Sequence, residues 1–143
     1  GSEEKLMFNL STDSGSNYNV TKTSTVIDAY QRENDSNGFN YNTSQDLAQS
    51  TADQPLTPEV ELGTDDDASA NGELILFNPS STTYVKNFMY KGNHMSYYSP
   101  PWSINSFICG YGNTTSAINA IIFKMTSGNI DSGTIKLYGI KDS

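Results

Sequence analysis

The sequence predicts an all-β domain, an antiparallel β-sandwich of jelly-roll-like form with about eight strands. Three observations carry this. Segments rich in β-branched and aromatic residues recur along the chain, each bounded by Gly, Asn, Asp, Ser and Pro clusters. Within the clearest segments, apolar and polar residues alternate with the period of two that a strand requires. Asn, Ser and Thr (15, 19 and 14 residues) make up about a third of the chain, yet 11% is aromatic. Disordered chains lack aromatics, whereas polar loops around aromatic-rich strands supply both features.

Taken in order, residues 5–10 (KLMFNL) read as a first strand and 11–19 as a polar turn region. The β-branched run 21–31 reads as a second strand, closed by the turn sequence ENDSNG. A short strand is expected at 39–41. Residues 44–52 (SQDLAQSTA) offer the one plausible helical turn, with Ser44 as its cap. Residues 55–71 read as a long acidic loop. Strands follow at 73–77 (ELILF) and 84–91 (YVKNFMYK), then a Tyr-rich loop at 92–101 containing His94. Residues 102–111 (WSINSFICGY) read as the next strand.

The chain closes on a predicted hairpin, with arms at 118–125 and 134–140. On the first arm Ile121, Phe123 and Met125 oppose Ala120, Ile122 and Lys124. On the second, Ile135, Leu137 and Gly139 oppose Lys136, Tyr138 and Ile140. The turn formers between the arms include Gly128 and Gly133.

Composition excludes several functions. The net charge is −8 with eight Lys and Arg and no basic cluster, which argues against nucleic-acid binding and against an anionic membrane surface. No apolar run reaches the roughly 18–20 residues of a membrane-spanning helix, and no secretory signal pattern is present. Gly1 and Ser2 read as the remnant of a cleaved tag, and residues 3–143 as one sandwich domain. The single cysteine, Cys109, has no intramolecular disulfide partner and reads as a buried small hydrophobe.

Two groups of residues invite a functional reading. Asp65, Asp66 and Asp67 cluster hard oxygens that Ca2+ favours, but adjacent residues point apart, so a solvated acidic loop is the competing reading. Tyr97, Tyr98 and Trp102, with His94, gather around one loop and the strand after it. Exposed aromatics stack on sugar faces or anchor interfaces, while Trp102 could equally be core. His94 is the sole histidine, so no two-histidine mechanism is possible, and it reads as a surface residue. There is no G-x-S-x-G elbow, and nothing selects a carboxylate pair. A non-enzymatic protein is expected. Asn-x-Ser/Thr matches at Asn9, Asn19, Asn34, Asn42 and Asn113 are close to the number chance gives in so Ser/Thr-rich a chain.

Residues 77–89 (FNPSSTTYVKNFM), 110–140 (GYGNTTSAINAIIFKMTSGNIDSGTIKLYGI) and 44–52 resemble the C-terminal domain of tail-fibre-like and other virion structural proteins of marine tailed bacteriophages. The resemblance implies a stable module on a virus particle, contacting other virion proteins. It carries no catalytic residues over. The expected roles are recognition of a host-surface glycan, or particle decoration. A homotrimer is expected by analogy with fibre tips, with Tyr138 and Ile140 as candidate contacts between copies. The alternative is a stand-alone carbohydrate-binding module using the loop aromatics.

Overall fold

The computed structural model describes residues 4–59, 62, 68–96 and 98–140 of the 143. Its strands are β1 (Leu6–Ser11), β2 (Lys22–Arg32), β3 (Asn37–Tyr41), β4 (Gln54–Pro55), β5 (Ala70–Leu76), β6 (Lys86–Met95), β7 (Trp102–Gly112) and β8 (Ala120–Met125). They form two antiparallel sheets, ordered β4-β1-β8 and β3-β2-β7-β6-β5, packed face to face as a sandwich. The pairs β1–β8 and β2–β7 nest one inside the other, as in a jelly roll.

Side-chain alternation decides which residues meet between the sheets. From β2, Lys22, Ser24, Val26 and Asp28 face inward, in register with Gly112, Gly110, Ile108 and Ser106 of β7. From β6, Phe88 and Tyr90 join them. Phe8 and Leu10 close the core from β1. Phe8 and Phe88 meet edge to face across the sheets, with ring centres 5.2 Å apart and planes at 81°. Burying each such side chain contributes about 1.5–3 kcal/mol.

Three expectations are corrected. Residues 44–52 form no helix: a single turn closes where Asp46 N–H donates to Asn42 O at 3.3 Å, and beyond it the backbone bonds to β2. Lys22 and Ser50 exchange N–H···O bonds of 2.7 and 3.0 Å, and Ser24 N–H donates to Leu47 O at 2.8 Å. Strand β6 does not stop at 91 but runs to Met95. Gly92, read as a loop former, is a packing position: a side chain there would run into the buried Tyr90 ring, as would one at its register partner Gly72. Residues 134–140 form no strand. They are exposed, and among the described residues no backbone hydrogen bond ties them to either sheet. The eighth strand is instead the short β4.

Cys109 faces outward on β7 and is half-buried rather than core; burial raises its thiol pKa.

Candidate functional site

The loop aromatics lie at one end of the larger sheet, where β2 finishes, β7 begins and β6 finishes. The register places Arg32 opposite Trp102, and Met95 opposite Ser103. Backbone bonds hold these strand ends. Ser96 N–H donates to Trp102 O, and Trp102 N–H donates to Ser96 Oγ, both at 3.0 Å. Arg32 N–H donates to Ser36 O at 2.8 Å, closing the β2–β3 turn. Glu33 N–H reaches Pro101 O at 3.3 Å.

Tyr30, Arg32 and Trp102 share strand parity and assemble into a stack. The Tyr30 and Trp102 rings lie 4.7 Å apart at 30°, and Tyr98 lies 5.5 Å from Trp102 at 31°. The Arg32 guanidinium sits 3.7 Å over the indole and 5.4 Å from the Tyr30 ring. Arg32 Nε is buried without a hydrogen-bond partner among the described residues. The ring face accounts for this, since an aromatic quadrupole attracts the cation that water would otherwise solvate. Trp102 is half-buried, and Tyr98 is 49% exposed.

Gln31, Asn93 and Ser103 have the opposite parity. Together with Arg32, Glu33 and Trp102 they line an open groove of about 370 Å³. Because residues of both parities contribute, the groove wraps the end of the sheet instead of lying flat on one face. Asn93 Nδ2 donates to Ser103 Oγ and to Ile104 O, both at 3.0 Å. With its amide hydrogens so committed, Asn93 offers its oxygen as an acceptor. Gln31 and Glu33 add further oxygens. The exposed lining is mostly apolar, with the Gln31, Glu33 and Asn93 oxygens and the Arg32 cation set into it, which suits a ligand that has both an apolar face and hydroxyl groups.

Of the residues singled out in the sequence, the structure brings Trp102 and His94 together on the wall of the groove, with Tyr98 stacked beside Trp102. His94 is corrected from a surface to a buried residue: it points inward from β6 and is 1% exposed. Tyr97, Asp65, Asp66 and Asp67 lie outside the described residues. Among the described residues no group of three His, Cys, Asp or Glu side chains could hold a metal ion.

Two buried polar clusters escaped the sequence reading. In the first, Asp28 accepts from Ser106 Oγ at 2.9 Å and from Asn42 Nδ2 at 3.2 Å, while Asn42 Nδ2 also reaches Glu59 Oε2 at 2.9 Å. Desolvation raises the pKa of Asp28, though its hydrogen bonds and nearby Lys5 oppose this. Glu59 is also raised, by desolvation and then by the Asp28 charge. In the second, Lys22 Nζ donates to Asn9 Oδ1 at 2.6 Å and to Val20 O at 2.8 Å. Asn9 Nδ2 in turn donates to Asp53 at 2.8 Å, and Asp53 pairs with Lys124 at 2.6 Å. Burial lowers the Lys22 pKa to about 8 despite the opposing Asp53 charge. The one sequence signal for either was parity, since Lys22 and Asp28 alternate in step with Val26. Both clusters lie within the fold, and Asp28 and Lys22 have no exposed surface with which to meet a ligand.

Comparison with protein-family models, with curated proteins and with solved structures finds no match for this chain.

Proposed function

We propose that this domain is a non-enzymatic recognition module of a bacteriophage virion, on a fibre, an appendage or the capsid surface, and that it holds a neutral host-surface glycan at the β2–β6–β7 end of its larger sheet. The observation that carries the binding reading is the Tyr30–Trp102–Tyr98 stack, fixed by Arg32, beside an open, mostly apolar groove that also presents the Gln31, Glu33 and Asn93 oxygens. Sugars are bound by this combination: an aromatic surface takes the apolar C–H face, and polar side chains take the hydroxyls. Both sides of the groove stand on strand ends, so its geometry is set by the sheet. Asp28, which would otherwise suggest acid–base catalysis, is fully buried, and His94 on the groove wall is 1% exposed.

The virion placement rests on the resemblance of residues 44–52, 77–89 and 110–140. A domain that binds glycan but does not associate with virion proteins would be the stand-alone carbohydrate-binding module of the alternative reading.

The test is an array of bacterial surface polysaccharides probed with the intact chain, with Gln31→Ala and with Trp102→Ala. The expected result is binding to neutral glycans that weakens at least about tenfold in both variants, roughly the 1.4 kcal/mol of one lost contact. An array without signal at high protein concentration would contradict the glycan reading.

A further inference from the structure

We infer that residues 134–140 of one copy add as a strand to the open edge of β8 in a second copy, so that the chain assembles by strand exchange. This inference is independent of the glycan groove.

The first observation is the edge itself. β8 ends the smaller sheet, with β1 on one side and no strand on the other among the described residues. An unpaired edge is normally blunted by a charge, a proline or a bulge. β8 reads AIIFKM, and its one charge, Lys124, is drawn to Asp53 at 2.6 Å.

The second is an incomplete core on the same flank. Ile121 and Phe123 of β8 face inward, opposite Leu10 and Phe8, but stay only half-buried. Leu74 and Leu76 at the edge of the larger sheet are likewise half-buried against that core. The two edges lie on one side of the sandwich, because Ile118 N–H, just before β8, donates to Pro79 O, just after β5, at 2.8 Å. A further strand beside β8 would cover all four residues.

The third is the segment that fits. Residues 134–140 are about as long as β8 and alternate as a strand does. Yet the two residues that such a strand would bury are exposed, Ile135 by 63% and Leu137 by 91%. Inserted with Ile135 and Leu137 inward, the segment would turn Lys136, Tyr138 and Ile140 outward and put Gly139, which needs no room, at the inner end. Thr126 N–H extends the β1–β8 ladder by bonding to Lys5 O at 3.0 Å. Beyond it the chain leaves the sheet through Gly128 and Gly133, both at positive φ. Each copy thus presents one exposed segment of strand-like pattern and one uncovered edge of matching length. Exchange of an identical element between copies satisfies both.

The test is solution mass by light scattering for the full chain, for a chain ending at Gly133 and for full-length Leu137→Asp, with far-UV circular dichroism to check folding. The expected result is an oligomer for the full chain and the single-chain mass for both variants. A peptide of residues 134–140 should then bind the shortened chain. A full chain at the single-chain mass would overturn the inference, since the segment would then serve only its own β8. So would an oligomer that survives in Leu137→Asp. If the shortened chain fails to fold, Leu137→Asp alone decides.

Discussion

Arg32 and Trp102 are register partners on β2 and β7, and the Arg32 guanidinium carbon lies 3.7 Å over the indole ring. This contact spans the two strands that end at the groove. It replaces, for Arg32 Nε, the hydrogen bond that no group among the described residues gives that atom. Replacing Arg32 with Ala should cost about 1 kcal/mol of stability, the scale of a partly desolvated cation–π pair. Because Trp102 is the only tryptophan, its emission should shift in the same variant. Urea denaturation followed by fluorescence reads both effects. An unchanged midpoint and spectrum would contradict this role for the contact.

Phe88 carries the core from the larger sheet, in contact with Phe8 and beside Leu76. Phe88→Ala should destabilise by about 3–5 kcal/mol, since both the transfer energy and the cavity count against it. Phe39→Ala, on an outward-facing side chain that is 73% exposed, should change stability by less than about 0.5 kcal/mol. Denaturant midpoints of the two variants check the contrast.

Lys22 predicts an alkaline rise in stability. Its folded pKa of about 8 lies below the ordinary 10.5, so between those values the unfolded chain binds more protons than the native one. Stability from this group therefore climbs as pH rises from about 8 toward 10.5. In Lys22→Met that component should vanish. Melting temperatures measured across the interval for both proteins test it, and parallel curves would contradict it.

Asp28 predicts the reverse slope in acid. Its folded pKa is raised above 3.8, so the native state holds the proton more tightly. Stability from this group is greatest below 3.8 and is lost as pH rises through the folded value. Asp28→Asn should flatten that part of the profile. Ser106→Ala, which removes a hydrogen bond to the charged form, should steepen it.

Most strands were legible because alternation is a local property. β2, β7 and β8 fall within a residue or two of where their β-branched runs place them. β6 was read short because Gly92 and Asn93 are turn formers by habit. Here the glycine makes room for the ring of Tyr90, two residues earlier on the same face of β6, which folds back over Gly92 and its register partner Gly72. Residues 134–140 have strand chemistry, but a strand also needs a partner edge, and pairing is not written in the segment itself. For the site, the aromatic cluster was visible as a Tyr98–Trp102 neighbourhood. Arg32, Tyr30 and Gln31 were not, because they arrive from about 70 residues away through the β2–β7 register. The Asp28–Asn42–Glu59 cluster was hidden because Asn42 and Glu59 come from segments outside the named strands, which alternation does not place.

The most direct test of the recognition role uses that single tryptophan as the probe. Emission from Trp102 would be followed while neutral bacterial surface oligosaccharides are titrated into the full chain, with Gln31→Ala as the weakened control. The account predicts a saturable change in emission for at least one neutral glycan, with the half-saturation point moved about tenfold higher in the variant. No change with any glycan, or an identical titration in Gln31→Ala, would contradict it.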